Sequence, residues 1–373
     1  MAETAGGERT WSTRLLDTAT GPVTVSIAVA LVAGTAIIAV TGEDPATAFE
    51  AMVEGALTGS GLRNTVNRLV PIVGMGLALA IPFRAGVINL GGEGQMVFGA
   101  LAGTLVAIYV PGPGWAVVPV ALAAGAAAGA VWGLLPAVGH VRFGLPVLIS
   151  SLLLNYPARA VTGYLVRFPF ADPTVTSSST VVIPEGHRLV DLPGGVSPGL
   201  IVVLAAAAAI AVFNRRTVAG YESEVVGLNA RFARYGGVDV SAHTVGAMVA
   251  SGAIAGIIGT QLILGETFRF LDGDLVATGF AWTGLLVTLL ARHRPVGVLA
   301  AGAFFAALQI GGLAMQRSVN VPWQLAQVLQ AVVIIALASR LTMRWLRRRS
   351  TPAEEPPAAP AVPDLEAAGV GEV

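Results

Sequence analysis

Ten apolar stretches, most of them about as long as a bilayer is thick, constrain this chain more than any other feature. A helix needs about 20 apolar residues to cross the hydrocarbon core of a membrane, and a hydropathy window of that size finds one such stretch after another. Only 12% of the 373 residues are charged, whereas soluble domains carry about 25%. The sequence therefore predicts an all-α, polytopic transmembrane helical bundle. The predicted spans are 22–41, 66–83, 87–110, 114–138, 145–166, 198–214, 243–265, 276–291, 295–314 and 322–340.

Arginine residues are distributed unevenly between the connecting segments. With the N-terminus placed inside, fifteen arginines fall on cytoplasmic segments and six on outer segments. An excess of basic residues on the cytoplasmic side orients membrane proteins, so the sequence predicts that both termini are cytoplasmic. Polar residues continue to about Thr20 before the first long apolar stretch, and we interpret that stretch as an uncleaved helix rather than a signal peptide.

The predicted spans also define the domain organisation. Residues 1–21 are expected to be a cytoplasmic N-terminal segment, residues 22–349 the transmembrane domain, and residues 350–373 a disordered cytoplasmic tail rich in Pro, Ala and Glu. Two connecting segments are longer than simple turns. They are an outer loop at 167–197 and an inner loop at 215–242.

The sequence contains no recognisable catalytic or nucleotide-binding constellation. The absence of cysteine excludes disulfides, iron–sulfur clusters and thiolate catalysis. The absence of lysine excludes an ordinary Walker A site, whose lysine contacts the nucleotide phosphates. No histidine pair has metal-ligand spacing, so no catalytic residue, metal or cofactor is predicted on this chain. We interpret the four histidines as solvated or interfacial: His140, His187, His243 and His293.

The most unusual segment for a membrane span is Val87–Gln95, Val-Ile-Asn-Leu-Gly-Gly-Glu-Gly-Gln. An ionised carboxylate is costly in lipid, and glycine-rich, non-helical backbone is tolerated there only where it lines a cavity or is buried in protein. The segment therefore indicates a transport pathway. If it enters and leaves the membrane on the same side, the second and third spans would be counted differently. Two structural roles for Glu93 stay open, namely capping a half-helix that begins near Gly94 and pairing with Arg84.

The inner loop holds a second informative segment. Residues 222–235 are expected to form short amphipathic helices that end at Gly236 and Gly237. One interpretation is an interfacial helix on the inner leaflet, with Arg231 and Arg234 at the lipid headgroups. The other is a docking element for a cytoplasmic partner.

Several segments resemble, in the same order, landmarks of one family of membrane proteins. Val87–Gln95 is similar to the Asn-Ile-Gly-x-Glu-Gly-Gln segment of permease subunits of bacterial ABC importers, and Leu152–Tyr156 is similar to their Met-Leu-Asn-Tyr segment. Gly227–Gly237 resembles their cytoplasmic coupling segment. The family is the branched-chain amino acid and simple-sugar permease superfamily, in its nucleoside-type branch. Further matching landmarks are Ser251–Gly256, Gly279–Phe280 and Pro295–Gly297.

The resemblance covers roughly residues 60–340, and the chain departs from the pattern only in Leu90 for the usual Ile and in the small Gly92. It implies a subunit of the bacterial plasma membrane that pairs with a second, related permease, as a heterodimer. It also implies cytoplasmic ATP-binding subunits, which hold ATP and Mg²⁺, and an extracellular substrate-binding lipoprotein. The residues expected to couple this chain to the ATPase are Glu222, Gly227, Asn229, Arg231, Arg234, Tyr235 and Gly236.

A nucleoside is polar and neutral, so its pathway is expected to offer hydrogen-bonding groups and aromatic surface. Asn155 has a structural alternative, which is to satisfy backbone freed by a kink at Pro157, and Tyr156 and Trp282 have the alternative of ordinary packing or interface positions. The predicted pathway residues are Asn89, Glu93, Gln95, Asn155, Tyr156, Phe280, Trp282 and Thr283.

Three classes of function are compared. The expected one is ATP-driven import of nucleosides by alternating access, and a permease for a simple sugar or another small polar solute is the alternative. An ion-coupled secondary transporter would use Glu93 as its coupling site and would leave the inner loop without a role. A membrane enzyme would need a catalytic cluster that the sequence lacks.

Overall fold

The helices that the sequence predicts dominate the structure, a computed structural model that describes residues 31–332 and 335 with gaps at 33, 41, 320 and 326. Within these residues there is no β-strand, and only two isolated bridges form. The predicted all-α class is therefore confirmed. The predicted segments 1–21 and 350–373 lie outside the described residues, and so do parts of the spans 22–41 and 322–340.

Thirteen α-helices have their bounds inside the described part of the chain. They are α1 (Pro45–Leu57), α2 (Gly59–Arg84), α3 (Gly92–Tyr109), α4 (Gly114–Phe143), α5 (Val147–Leu153), α6 (Asn155–Arg167), α7 (Gly199–Arg216), α8 (Val218–Leu228), α9 (Ala230–Tyr235), α10 (Val240–Leu262), α11 (Asp274–Ala277), α12 (Phe280–Leu290) and α13 (Pro295–Val319).

Five helical stretches in the described residues are long and apolar enough to cross a membrane. They are α2, α4, α7, α13 and the stretch Val240–Thr267, in which α10 continues into a short π-helix. They coincide with predicted spans. The number of ten spans and the orientation of the termini stay predictions.

The structure differs from the predicted spans at three places. The third span begins as a helix only at Gly92, because residues 87–91 form neither helix nor strand. The fifth breaks into α5 and α6 at Leu154, because Pro157 has no N–H to donate to the carbonyl four residues earlier. The eighth breaks into α11 and α12 at Gly279, whose φ of +65° is left-handed. In addition, part of the predicted outer segment 42–65 is the helix α1.

Small residues bring α3, α4 and α10 into close contact. A Cβ on Gly99 or Gly256 would collide with backbone of the facing helix, and the same holds for Gly129 against Gly252. Small residues allow helix backbones in membranes to approach closely. The helix α2 packs against α12 and α13. The hydroxyl of Thr288 on α12 donates to the carbonyl of Gly76 on α2 over 2.6 Å.

The long outer loop 167–197 is ordered by backbone hydrogen bonds to the segment after α10. The N–H of Ile183 donates to the carbonyl of Phe268 over 2.8 Å, and that of Leu189 donates to the carbonyl of Leu264 over 2.9 Å. Residues 183–189 therefore lie along the π-helix and its exit.

Ion pairs between the ends of predicted spans join segments that were predicted to lie on the same side. Arg84 pairs with Glu224 at the predicted inner end, over 2.6 Å, and Arg167 pairs with Asp272 at the predicted outer end, over 2.8 Å. Each pair thus agrees with the predicted grouping of its two segments on one side, and which side is cytoplasmic stays a prediction.

Candidate functional site

Side chains from the broken fifth span satisfy the backbone of the irregular segment 87–91, in which Asn89 and Gly91 are buried and Ile88 is exposed. The hydroxyl of Ser151 accepts from Leu90 N–H over 3.1 Å. Asn155 donates to the carbonyl of Leu90 over 2.9 Å and accepts from the N–H of Gly94 over 2.8 Å. Non-helical backbone at membrane depth requires such partners. Asn155 therefore satisfies the backbone of another segment, and it, rather than Glu93, accepts from the first turn of α3.

Asn89 and Gln95 form a closed polar network in the same region. Asn89 donates to Gln95 over 3.1 Å and to the hydroxyl of Ser251 on α10 over 3.0 Å, and its Oδ1 accepts from Gly91 N–H over 2.8 Å. Both amides are almost fully buried. In this conformation their polar atoms form hydrogen bonds within the protein, so a solute would reach them only after the segment moves.

Glu93 pairs with Arg159 of α6, not with Arg84. The carboxylate is 4% exposed, whereas the guanidinium is 42% exposed. The proposed pairing with Arg84 was wrong because Arg84 lies at the end of α2 and reaches Glu224 instead. Arg159 was missed although one signal was present, since it is an arginine inside a predicted span.

The predicted pathway residues do not line a single cavity. Asn89, Glu93 and Trp282 line a small cavity of about 10 Å³ between α3 and α12. Tyr156 lies on the exposed face of α6, where the guanidinium of Arg159 is 6.0 Å from its ring centre. Phe280 faces a larger cavity, described next.

This larger cavity has a volume of about 290 Å³ and lies at span ends that are predicted to face outside, so we call it the outer cavity. Four separate parts of the chain line it: α2, the outer loop, the π-helix after α10, and the facing ends of α12 and α13. Its lining residues are Asn64, Asn67, Arg68, Pro71, Asp191, Ser197, Gly265, Glu266, Phe280 and Ile310.

Arg68 is the cation of the outer cavity, and its orientation is fixed by two contacts. Its Nε donates to Gln309 over 2.9 Å, and its guanidinium lies 4.4 Å from the ring centre of Phe280. Gln309 is in turn 3.5 Å from the hydroxyl of Thr283. Two predicted pathway residues, Phe280 and Thr283, are therefore connected to this cavity through Arg68 and Gln309.

Glu266 enters the outer cavity from a strained segment. It lies in the π-helix Ile263–Thr267, and the next residue, Phe268, has a left-handed φ of +54°. Single π-helical turns and left-handed non-glycine residues cluster at functional sites. Sequence reasoning missed both residues: Arg68 was counted only among the six outer arginines, and Glu266 comes just after the predicted span 243–265.

A second cavity of about 480 Å³ adjoins the outer cavity, and the two share Asn64 and Ile310. It lies between α1, the start of α2 and the end of α13. Glu54 and Arg317 are its charged lining residues. Together the cavities form a polar indentation at the predicted outer end.

The inner loop folds into α8 and α9, as predicted, and ends at Gly236 and Gly237. The side chain of Asn229 caps α9 by accepting from the N–H groups of Arg231 and Phe232, over 3.1 and 3.0 Å. Gly237 follows in the left-handed region, with φ of +83°. The helices therefore begin and end at residues whose chemistry favours those positions.

Helix α8 is fixed to the ends of two spans. Arg84 at the end of α2 pairs with Glu224, and a Cβ on Gly227 would collide with the carbonyl of Arg84. Glu222 accepts from, or pairs with, His243 at the start of α10 over 3.1 Å. These contacts connect α8 directly to α2 and α10.

His243 and His293, predicted to be solvated or interfacial, are half-buried and make specific contacts. His243 also bonds the hydroxyl of Ser223 over 3.1 Å. His293, in the loop before α13, stacks near Phe83, and burial together with the neighbouring charge of Arg84 lowers its pKa. Both histidines therefore belong to the junction between the inner loop and the spans.

The opposite surface of α8 and α9 is exposed and both apolar and cationic. Tyr235 is 93% exposed and Leu228 is 81% exposed, and Phe232 lies between them in sequence. Arg231 and Arg234 are exposed on the same short helix. Of the predicted coupling residues, Glu222, Gly227 and Asn229 contact neighbouring parts of the chain, while Arg231, Arg234, Tyr235 and Gly236 are exposed. Their role in coupling stays a prediction.

Residues 61–338 match the model of the family described as the branched-chain amino acid transport system permease component. The chain belongs to this family. It is thus a permease, a transport component that crosses the cell membrane several times, and the suspected resemblance is confirmed.

Relatives of the permease carry names for two kinds of solute. It is 35% identical to a glucose ABC transporter permease of Haloferax volcanii over 343 residues, which cover 88% of each chain. It is 30% identical to a guanosine ABC transporter permease of Bacillus subtilis over 86% of this chain and 94% of that one. A nucleoside ABC transporter permease of Lactococcus lactis is 24% identical over 84% and 89%. No solved structure matches the permease.

Proposed function

We propose that this permease moves nucleosides into the cell as one membrane-spanning subunit of an ATP-driven ABC importer. The observation that carries the proposal is the arrangement of the inner loop, which is anchored to α2 and α10 on one face and exposes Leu228, Phe232 and Tyr235 on the other. An exposed apolar patch with cationic residues is typical of a docking surface.

The energy for transport would come from the partner. A cytoplasmic ATP-binding subunit, holding ATP and Mg²⁺, would dock on α8 and α9, and its closure would displace them together with α2 and α10. The buried side chains of Asn89, Gln95 and Asn155 hold the segment between α2 and α3, so this displacement would open that segment to the solute. Such alternating access depends on two packings of the same helices, and no cofactor on this chain is required.

The exposed face of α6 supports a second permease subunit as partner. Arg159 is 42% exposed within a predicted span, and a charged side chain is costly in hydrocarbon. A related permease that covers α6, as half of a heterodimer, would give Arg159 and Tyr156 a protein or water surface instead. An extracellular lipoprotein would deliver the solute to the outer cavity.

Glucose or another sugar is the second candidate substrate, because the relative with 35% identity is named a glucose permease. A nucleoside is favoured by the names of the other two relatives and by the aromatic residues Phe280 and Trp282 near the polar groups.

The test is uptake by liposomes that contain the complete importer, with ATP on the side of the ATPase. We expect uptake of labelled guanosine and none of labelled glucose, each measured with and without ATP. Uptake of glucose but not of guanosine would change the proposed substrate to a sugar and leave the proposed importer role unchanged. Uptake that is independent of ATP would overturn the proposal.

A further inference from the structure

The outer cavity has an excess of negative charge, and this restricts what it can bind. One guanidinium, that of Arg68, stands against two carboxylates, those of Glu266 and Asp191. Glu266 lies within electrostatic range of both other groups. Because like charges repel strongly where water is partly excluded, the cavity disfavours phosphorylated and other anionic solutes. It favours neutral solutes that donate hydrogen bonds.

The two carboxylates are available to such donors. Among the described residues, none donates a hydrogen bond to Glu266 or Asp191 or forms an ion pair with either within 4.0 Å. Both side chains are exposed where they line the cavity. A carboxylate has two oxygens and can accept two hydrogen bonds at once, and bonds to a charged acceptor are stronger than those between neutral groups.

Two neighbouring groups can act as donors. Arg68 uses its Nε for Gln309 and rests on Phe280, so its terminal nitrogens are held in a fixed plane beside the cavity. The hydroxyl of Ser197 accepts from Gln261 over 2.8 Å and from Gly199 N–H over 3.2 Å. Its own hydrogen is therefore free to be donated to a ligand oxygen.

We infer that the outer cavity is a binding site for a neutral polyol, whose vicinal diol donates to the carboxylate of Glu266 while Arg68 donates to an adjacent ligand oxygen. Two adjacent hydroxyl groups match the two oxygens of one carboxylate. The ribose of a ribonucleoside and a free sugar both carry this group. The inference rests on the proposed function, which it deepens by naming the feature of the substrate that is recognised.

The absence of cysteine makes a direct binding test possible, because a single introduced thiol has no background. The Asn64→Cys thiol would lie at the edge of the outer cavity, and the Thr176→Cys thiol would lie on the exposed outer loop as a control. In the complete importer in lipid nanodiscs, the rate of labelling by a cationic thiol reagent is measured against the concentration of four probes. They are guanosine, 2′,3′-dideoxyguanosine, guanosine monophosphate and glucose.

We expect guanosine to slow labelling of the Asn64→Cys thiol at about one tenth of the concentration that the dideoxy analogue or the monophosphate requires. Slowing by glucose instead would support the same diol recognition and identify a free sugar as its source. Glu266→Gln is expected to raise about tenfold the concentration of guanosine that slows labelling, and to remove most of the preference for guanosine over its dideoxy analogue. Glu54→Gln, which changes a carboxylate in the adjoining cavity, should leave the preference unchanged.

Equal effects of guanosine and its dideoxy analogue, a stronger effect of the monophosphate, or an unchanged preference in Glu266→Gln would overturn the inference. So would the absence of any specific slowing at Asn64→Cys. Uptake by the same importer distinguishes the proposed function from the proposed site. ATP-driven uptake without diol-dependent slowing of labelling would refute the site and leave the proposed function intact.

Discussion

Arg84 donates to Glu224 over 2.6 Å, and this contact joins the end of α2 to the helix α8 of the inner loop. The same α2 carries Arg68 near its other end, in the outer cavity. A single helix therefore connects the surface where an ATPase would dock with the cavity where a solute would enter. Exposed ion pairs contribute at most about 1 kcal/mol to stability, so the close backbone contact beside the pair is the stronger constraint.

Gly227→Ala is expected to uncouple the permease from ATP hydrolysis. Its Cβ would collide with the carbonyl oxygen of Arg84, which is backbone and cannot rotate away. The α8–α2 contact would have to widen, and overpacking of this kind costs about 1–3 kcal/mol. We expect substrate-stimulated ATP hydrolysis by the complete importer to fall about tenfold.

The matched control for this variant is Gly246→Ala on α10. A Cβ at that position meets no atom within 4 Å, so activity should stay at the wild-type level. If Gly227→Ala were as active as Gly246→Ala, the contact between α8 and α2 would not transmit motion.

Asn155→Leu is expected to destabilise the permease. The substitution leaves Gly94 N–H and the Leu90 carbonyl without their partners in a buried region, at a cost of about 1–3 kcal/mol for each unsatisfied group. Asn155→Gln keeps an amide donor and an amide acceptor on a longer side chain, so its loss of stability should be smaller. Thermal unfolding of the purified importer measures both, and equal melting temperatures for the two variants would contradict this role.

The Glu93–Arg159 pair predicts an unequal response to removal of its two members. Arg159→Met leaves a carboxylate that is only 4% exposed without a countercharge, and breaking a buried pair costs about 3–5 kcal/mol. Glu93→Gln leaves an arginine whose side chain is 42% exposed and would meet protein or water in the proposed heterodimer, so the expected loss of stability is smaller. Thermal unfolding of both single variants and of the double variant is the measurement.

In the double variant no buried charge is left unpaired, so it should be more stable than Arg159→Met alone. Strictly additive losses would show that the two side chains do not act as a pair.

His187 predicts a pH dependence of stability. The carbonyls of Gly112 and Ala107 accept from its two ring nitrogens, over 2.9 and 2.7 Å, and they raise the pKa of this histidine. Two acceptors require the doubly protonated ring. The stabilisation is therefore fully present below the unfolded pKa of about 6.5 and is lost as the pH rises through the higher folded pKa.

Thermal unfolding between about pH 6 and pH 8.5 tests this expectation. Wild type should lose stability toward the alkaline end, whereas His187→Gln should lack that part of the change. His140→Gln, at an exposed position, is the control. A pH profile that is the same in wild type and His187→Gln would contradict the assignment.

Hydropathy predicted the long helices well because each must satisfy its backbone internally and present apolar side chains along its whole length. It missed the breaks at Leu154 and Gly279, since a window average is insensitive to one proline or one glycine. The signals, Pro157 and Gly279 itself, were nevertheless present in the sequence.

The candidate site was less predictable than the helices. The segment 87–95 was recognised because a carboxylate and glycines inside a span are unusual. The helices α8 and α9 were predicted from their amphipathic pattern and from the glycine pair that follows them. Arg159 as the partner of Glu93 is 66 residues away in sequence, and the outer cavity collects residues from four parts of the chain. Such proximity arises from the packing of the helices, which no local pattern encodes.

The most direct test of the account is ATP hydrolysis by the complete importer in liposomes, with wild type measured beside Arg234→Glu. Arg234 is exposed on the surface proposed to contact the ATPase, and Arg142→Glu, at another exposed position predicted to be cytoplasmic, is the control. We predict that nucleosides stimulate hydrolysis in wild type and Arg142→Glu, and that Arg234→Glu loses the stimulation. Nucleoside uptake by this chain alone, indifferent to ATP, would contradict the account and would make Glu93 the site of a coupling ion.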